Sequence, residues 1–406
     1  MAASGPDRAR ARDVLRVPEF LALLTSSALS IVGDQVARIA LALLVFDRTG
    51  SSFAAAATYA CSYLTWLVTG LLLSTVADRL PRRRLMIVCD LLRAVAVGLL
   101  LVPEPPLVLI FAVLLAVGLL SPPFDAAKSA VLPEVLSGDA YVVGNGLQSS
   151  LFQAANAVGF LLGGALVAAM GVRTALSVDA LSFLLSALVL SLFVRERAPA
   201  PHDGASLFAD TRAGVSEVLG DPLLRRLLCF GLLGALVLIT PEGLAVPVAA
   251  GTSPGAQDAA AGVLAAVAPA GFLLGSLVLL RLRPAVRLTL LPWLVVLSGV
   301  ALLLSPLLDS TPALAALWLV AGGGSALLLV ANSAYMQAVP GRMRGRAFGV
   351  ANTALMVLQG LLLLGLGALA EVVDPRWVVS GAGAVALLVV LPLSAAPGSA
   401  RLAARA

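Results

Sequence analysis

Two ionisable residues, Asp34 and Arg38, interrupt a long apolar run at 19–46. In an α-helix they would lie about 21 and 27 Å along the axis from Phe20. Their i, i+4 spacing places them on one helix face, where they can partly neutralise each other. Charges at such depth in a membrane usually face a cavity or a partner. Two interpretations stay open: a structural ion pair between helices, or proton exchange at Asp34.

A third ionisable residue, Glu242, lies in the apolar run at 225–249. Pro241 is its neighbour and Pro247 follows five residues later, so this helix could bend as a gate. We hypothesise a proton or substrate role for Glu242, and the sequence leaves open whether it faces a cavity or the outer water. Asp179, near the end of another apolar run, is interpreted as an interfacial or packing residue.

Uncharged polar residues in other apolar runs are candidates for a cavity wall. Asn332, Tyr335 and Gln337 occur together in the run at 312–338. They could bind a substrate, or they could form hydrogen bonds between closely packed helices. The same two interpretations apply to Gln148, Gln153 and Asn156. Because aromatic residues make up only 5% of the chain, we expect a largely aliphatic cavity that suits a hydrophobic or amphiphilic small molecule.

The elements that carry these residues are membrane-spanning helices. The chain has 406 residues, 60% hydrophobic and only 12% charged, whereas soluble domains are about one quarter charged. Its apolar runs reach the length of about 20 residues that a helix needs to cross a bilayer. We predict an all-α integral membrane protein with twelve spans. They lie near 19–46, 52–76, 84–102, 106–124, 139–169, 173–194, 225–249, 259–280, 288–307, 312–338, 346–370 and 376–395.

The basic residues are distributed unequally between the two sides of these spans. Arg48, Arg173 and Arg376 lie in connectors on one side, and Arg38 and Arg93 lie inside spans. All the others lie at the termini or in connectors on the other side. This asymmetry predicts that both termini of the multi-pass protein lie in the cytoplasm. The net charge of +5 therefore reflects topology, and we expect no nucleic-acid partner. One lysine against 26 arginines, in an alanine-rich chain, indicates a GC-rich bacterial genome, so we expect the bacterial cell (inner) membrane.

The sequence offers no spacing typical of a metal or cofactor site. Its three cysteines fall inside apolar runs and its single histidine lies in a polar connector. We therefore expect no cofactor and no metal. The expected partners are the lipid bilayer, a small-molecule substrate and protons, and we expect a monomer. No motif typical of an enzyme is present.

An internal repeat divides the chain. The segment 132–147 aligns with 339–354 without gaps at an offset of 207 residues, and Asn145 meets Asn352. The offset corresponds to about six helices. We predict a six-helix half at 1–194, a cytoplasmic linker at 195–222 and a second half at 223–406. Parallel repeats of this kind place a cavity at their interface near the midplane and favour alternating access by rocking.

Several segments carry a family resemblance. "ADRLPRRRLM" resembles the loop signature of the major facilitator superfamily. "DLLRA", "AVLPEV", "VDALSFLLSALVL" and "VPGRMRGRAFG" are similar to its branch of enterobactin exporters and macrolide efflux pumps. The resemblance covers nearly the whole chain and implies its twelve-helix fold, with the first helix beside the cavity. Ser74, Pro81 and Phe160 depart from residues that are usual in relatives.

The resemblance also implies a cytoplasmic gate. In the superfamily, the aspartate equivalent to Asp78 approaches the start of the eleventh helix, whose free N–H groups attract an anion. This suggests a latch between the two halves that an Asp90/Arg93 pair would extend. A role limited to moderating repulsion among arginines is the alternative. The gate residues are Asp78, Arg79, Arg82, Arg83, Asp90, Arg93, Arg344 and Arg346.

The resemblance and the residues together predict proton-coupled efflux of a small amphiphilic compound, such as an antibiotic, a siderophore or a metabolite. A lysophospholipid flippase fits the same features. The alternative without transport is a membrane scaffold or a membrane-embedded enzyme.

Overall fold

The computed structural model of the protein describes residues 11–72, 81–197, 220–253, 255–339 and 344–395. Side chains are described over these ranges except at 67–72, 284, 285, 344–350 and 395. A short helix, Ala11–Leu15, precedes twelve long helices in the described residues. These are α1 (Pro18–Thr49), α2 (Ser52–Leu72), α3 (Arg82–Gly98), α4 (Leu107–Val135), α5 (Asp139–Met170), α6 (Val172–Phe193), α7 (Pro222–Thr252), α8 (Gln257–Leu280), α9 (Pro284–Leu303), α10 (Thr311–Ala338), α11 (Arg344–Leu369) and α12 (Pro375–Ala395).

The predicted all-helical membrane architecture is confirmed. Within the described ranges there is no strand, and ten of the twelve long helices, all but α2 and α3, are long and apolar enough to cross a bilayer, by length and composition. α3 has 17 residues and several charges, and a 3-10 turn at Leu99–Leu101 lengthens it. α10 is interrupted at Ala326, between Thr311–Ser325 and Leu327–Ala338.

One predicted boundary is wrong. The fourth span was expected to end at 124, before a charged and proline-containing stretch, but α4 continues to Val135. Prolines are tolerated inside membrane helices because neighbouring groups satisfy the backbone carbonyls that they leave free. Lys128, expected in a connector, lies in α4 and pairs with Asp125 at 3.0 Å. The first part of the repeated segment is therefore helical.

The helices pack in two groups that meet along two seams. α1 packs against α5 and α6, and α3 packs against α4 and α6. In the second group α8 packs against α7 and α10, and α9 against α12. The seams between the groups are α2 against α11 and α5 against α8. The largest apolar core extends across both groups, from Val36 and Phe160 to Val237 and Leu264.

Glycines bring the helices of both seams into close contact. A Cβ atom added at Gly164 of α5 would lie 2.6 Å from the Cα atom of Gly262 in α8. One added at Gly367 of α11 would lie 2.6 Å from the Ala56 side chain in α2. Without side chains at these points the helices approach closely, as membrane helices do at small residues.

The two faces of the bundle differ. We call the face where α1 begins and α12 ends the terminal face, and the face where α1 ends and α2 begins the opposite face. At the opposite face Gln257 Nε2 donates to Asp47 Oδ1 at 2.8 Å. Glu371 Oε1 accepts from Ser51 Oγ at 2.8 Å and from the Phe53 backbone N–H at 2.7 Å. Each contact joins the two helix groups, so the opposite face is closed.

Candidate functional site

A central cavity of about 690 Å³ lies between the two helix groups, on the terminal side of the contacts just described. Its volume is in the range of small-molecule sites. Rim residues such as Asn145 and Ser149 are exposed. The wall consists of Ser27, Ile31, Asp125, Lys128, Ser129, Asn145, Gln148, Ser149, Leu151, Phe152, Gln153, Phe272, Leu328, Leu329, Asn332, Ser333, Met336 and Asn352.

The internal repeat contributes equivalent residues to this wall. Asn145 on α5 and Asn352 on α11, which the sequence alignment pairs, both line the cavity. The aligned positions therefore both lie in the wall of one shared space. Such an arrangement is what two parallel-related repeats would produce around a central axis.

The cavity wall is mixed: most of the surface that faces the cavity is apolar, as expected, but many of its residues are polar. More than half of the wall residues carry amide, hydroxyl or charged groups, including Gln148 and Gln153 of α5. Asn156 lies deeper and accepts a hydrogen bond from Gln35 of α1.

The three candidate residues on α10 separate in the structure. Asn332 lines the central cavity. Gln337 lines a side cavity of about 190 Å³ between α8, α9 and α10, which shares Leu329 and Ser333 with the central one. Tyr335 is buried, with 3% of its surface exposed, so it belongs to the packing between helices.

Asp34 and Arg38 lie elsewhere. They line a third cavity of about 50 Å³ inside the first helix group, together with Asp179 of α6. They do not line the central cavity in this conformation. The helical face that carries them points towards α4 and α6, whereas Ile31 and Ser27, about one and two turns before Asp34, reach the central cavity.

Arg38 has a different partner from the one that its spacing suggested. Arg38 Nη1 lies 3.5 Å from Glu242 Oε1 on α7. Among the described residues, Glu242 is the carboxylate that forms an ion pair with Arg38. The pair joins α1 and α7, the first helices of the two groups. Glu242 is buried, with 6% of its surface exposed, and it faces the other helix group rather than outer water. Tyr59 and Tyr63 of α2 interact electrostatically with both charges.

The Asp90/Arg93 pair of α3 is present and fully buried. Arg93 Nη1 lies 3.4 Å from Asp90 Oδ1, and Ser186 Oγ on α6 donates to Asp90 Oδ2 at 2.6 Å. The Arg93 guanidinium lies 5.0 Å from the ring centre of Phe124 and 5.5 Å from that of Phe183. These cation–π contacts help to hold a charge in an apolar interior. Ser186 and Phe183 carry no sequence signal that distinguishes them from packing residues.

The arginines at the start of α3 pair within the first helix group. Arg82 forms an ion pair with Glu134 of α4, Arg83 donates to the Ser191 carbonyl, and Arg84 Nε lies 2.5 Å from Glu196 Oε1. Asp78 and Arg79 lie outside the described residues, as do the side chains of Arg344 and Arg346, so the predicted latch stays a prediction.

Arg197, which follows α6, completes this cluster of ion pairs at the terminal face. It pairs with Glu19 of α1 and, at 3.0 Å, with Glu134. The hydrogen bond to Glu19 raises the pKa of the Arg197 guanidinium above its ordinary value. α1, α4 and the segment after α6 are thereby held together at this face.

Residues 23–357 match the family model of the Major Facilitator Superfamily. Because the match covers most of the chain, the protein belongs to the Major Facilitator Superfamily. The family and its solved members that resemble this chain are transporters rather than enzymes.

Curated relatives include two named "Multidrug efflux pump Tap". The protein from Mycobacterium tuberculosis is 31% identical over 200 residues, which is 47% of this chain and 48% of that protein. The one from Mycolicibacterium fortuitum is 30% identical over 245 residues, 56% of each chain. The matched part of this chain thus spans about half the length of these curated relatives.

Two solved structures share the fold at low sequence identity. The nucleoside transporter NupG superposes with a TM-score of 0.71 at 16% identity, covering 92% of this chain and 99% of that one. A POT family transporter in complex with a thioalcohol-conjugated peptide superposes with a TM-score of 0.74 at 13% identity, covering 94% of this chain and 96% of that one. These likenesses concern the fold alone.

Proposed function

We propose that the protein is a secondary active transporter that exports a small amphiphilic compound from a bacterial cell by alternating access. An antibiotic, a siderophore or a metabolite would be suitable. The observation that carries this proposal is the central cavity of about 690 Å³, reachable from the terminal face and closed at the opposite face. With both termini in the cytoplasm, this is the conformation that takes up substrate for export.

Alternation would occur between the halves 1–194 and 223–406. Rocking about the α2–α11 and α5–α8 seams would separate the contacts at the opposite face and close the cavity at the terminal face. In the closed state Asp78 would approach the start of α11, near Arg344 and Arg346. An Asp78→Asn variant that left the ratio of inward-facing to outward-facing molecules unchanged would remove the latch from this scheme.

Buried charges support coupling to protons. Asp34 lies in a small cavity inside the first half, and the Arg38–Glu242 pair crosses between the halves. Protonation of Glu242 would remove its attraction to Arg38, so that proton binding would alter the contact between α1 and α7. A proton at Asp34 would neutralise a carboxylate in the same region. Movement of the halves and proton exchange would thereby be linked.

The character of the wall supports an amphiphilic substrate. Phe152, Phe272 and Met336 provide apolar contact, while amides such as Asn332 and Gln153 provide hydrogen bonds. Two curated relatives are named multidrug efflux pumps, which favours export over import. We propose that the protein acts as a monomer, because each chain has its own central cavity.

An efflux assay tests the proposal. Cells that lack their major pumps would express the protein and be loaded with ethidium, a cationic amphiphile. We expect faster loss of ethidium than in cells with empty vector, and a protonophore should abolish the difference. Equal rates with ethidium and a panel of antibiotics, in cells that display the protein in the membrane, would contradict the proposed function.

The side cavity favours one second candidate, a lysophospholipid flippase. Leucines of α8 and α9 line it beside Arg287 and Gln337, and it adjoins the central cavity through Leu329 and Ser333. An acyl chain could lie against the leucines with its headgroup near Arg287. Deletion of a flippase should change the lysolipid content of the membrane and leave drug resistance and extracellular siderophore levels unchanged. Deletion of an exporter should change drug resistance or extracellular siderophore levels and leave the lysolipid content unchanged.

A further inference from the structure

The 50 Å³ cavity inside the first helix group has an unusual wall. Helices α1, α2, α4 and α6 enclose it with one residue of α3, and its polar residues are Asp34, Arg38, Ser62, Ser121 and Asp179. A cavity needs about 10–15 Å³ to hold one water molecule. This one has room for a small ion, and two carboxylates and two hydroxyls supply oxygen atoms.

Asp179 is the least expected member of this wall. Only 1% of its surface is exposed, and its Oδ1 atom has no hydrogen-bond partner among the described residues. A Cβ atom at Gly33 of α1 would lie 2.7 Å from that oxygen, so the glycine leaves space for the carboxylate. The Ser182 side chain acts on this carboxylate through a hydrogen bond, but Oδ1 is left without a partner. A buried polar atom without a partner is costly, and a bound cation would remove that cost.

The fixed positive charges nearby already have carboxylate partners. Arg38 lies 3.5 Å from Glu242, and Arg93 lies 3.4 Å from Asp90. No ion pair within 4.0 Å is found for Asp34 or Asp179 in the described part of the chain.

The other groups that act on the two aspartates do not balance their charge. Asp34 interacts with Arg93, Arg38 and Asp125, and Asp179 with Asp34, Arg93 and Arg38. Asp90 on α3 and Glu242 on α7 are the carboxylates already paired, and Tyr63 of α2 lies beside Arg38. If all the carboxylates are ionised, this interior has more negative than positive charge.

We propose that Asp34 and Asp179 together bind one small monovalent cation, a proton or Na⁺, in the cavity between α1, α2, α4 and α6. The inference rests on the proposed function and deepens it. It pairs Asp34 with a second carboxylate, that of Asp179, and places the coupling ion in a site away from the substrate. Ser62 and Ser121 would complete the coordination of Na⁺. If the cation is a proton, the two carboxylates share it, since neighbouring like charges resist double ionisation.

Direct ion binding to the purified full-length protein tests the inference. Retention of radioactive ²²Na⁺ would report a sodium ion, and the carboxylic-acid band in infrared spectra, compared between variants, would report a shared proton. The variants are Asp179→Asn and Asp34→Asn, with Asp13→Asn as a matched control at an exposed site of the terminal face. Circular dichroism and size-exclusion chromatography would establish that each is folded.

We expect one of the two signals, ²²Na⁺ retention or the infrared band, in the wild type and in Asp13→Asn. In both cavity variants we expect at least a tenfold loss of Na⁺ affinity or of band intensity, whichever signal the wild type shows. If Asp179→Asn does not fold, the double variant Ser62→Ala/Ser121→Ala replaces it: about tenfold weaker Na⁺ binding supports the sodium site, and an infrared band altered by this variant supports the proton site.

A wild type without either signal, or an Asp179→Asn or double serine variant with the unaltered signal, would overturn the inference. Loss in Asp34→Asn alone would also overturn it and leave the proposed function intact. By contrast, gradient-driven transport that persists in Asp34→Asn would overturn proton coupling through Asp34 whatever the ion-binding result.

Discussion

Arg38 on α1 and Glu242 on α7 form an ion pair between the two six-helix groups, with Nη1 and Oε1 3.5 Å apart. Both side chains are mostly buried, with 17% and 8% of their surfaces exposed. α1 and α7 are the first helices of the two predicted repeats, so the pair lies across their interface. Any motion that separates these helices must break it or move it into water.

Removal of one member of this pair should destabilise the protein. Glu242→Gln leaves a buried guanidinium without its carboxylate, which costs about 3–5 kcal/mol in comparable buried pairs. We expect a lower Tm in detergent for Glu242→Gln and partial recovery in the double variant Arg38→Met/Glu242→Leu, which replaces the pair with apolar groups. A Glu242→Gln protein with the wild-type Tm would mean that the pair contributes nothing to stability.

Glu371 should hold the opposite face closed in a pH-dependent manner. Hydrogen bonds from the Phe53 backbone N–H and the Ser51 hydroxyl lower the pKa of the Glu371 carboxyl. Because this pKa is lowered, the Glu371 carboxylate contributes its full stabilisation of the closed face at pH values above the ordinary glutamate pKa of about 4.3. That contribution is lost as the pH falls through the lowered value.

Accessibility of a cysteine at position 332 measures this closure. In a protein without its native cysteines, an impermeant maleimide applied from the opposite face should label Asn332→Cys several-fold faster once Glu371→Gln is added. At low pH the labelling rate should rise relative to that of a fully exposed cysteine measured at the same pH, because the thiolate fraction falls equally in both. Glu104→Gln, in the exposed α3–α4 connector at the same face, should leave the rate unchanged. Equal labelling rates for all three proteins would exclude Glu371 from the closure.

The α5–α8 seam should tolerate no side chain at Gly164. A methyl group there would lie 2.6 Å from the backbone of Gly262, so Gly164→Ala must push the helices apart. We expect lower transport and more molecules open at the opposite face. Gly146→Ala in the same helix meets no atom within 4 Å and should transport normally. Similar activity of the two variants would contradict the close packing of this seam.

The two repeat-related asparagines should determine substrate affinity. Asn145→Leu and Asn352→Leu each remove an amide from the central cavity, at a cost of about 1 kcal/mol for one lost hydrogen bond, or roughly fivefold in affinity. Val158→Ala, at a lipid-exposed position of α5, is the control. KM for ethidium should rise in both asparagine variants and remain constant in the control. Unchanged KM values would place the substrate elsewhere.

The sequence was sufficient to predict the helices, because each span is a long apolar run ended by charge, glycine or proline. It failed at the end of α4, where membrane prolines do not stop a helix. Spacing placed Asp34 and Arg38 on one face but could not reveal that Glu242, more than 200 positions away, is the ion-pair partner. Asp179 looked like a packing residue because its surroundings come from α1, α2 and α4, which no local pattern describes.

The repeat was the most informative long-range signal. It paired Asn145 with Asn352, and the structure places both on the cavity wall. Composition alone did not indicate how many polar side chains line the cavity, because they are few in the chain and gather there from several helices.

Transport into proteoliposomes tests whether a proton gradient drives export through Asp34. Vesicles would contain wild-type protein or Asp34→Asn, with ethidium on one side and an imposed pH gradient. We predict that the wild type accumulates ethidium against its concentration gradient. Asp34→Asn should bind ethidium and exchange it downhill without responding to the gradient. Undiminished gradient-driven accumulation by folded Asp34→Asn would contradict proton coupling through Asp34.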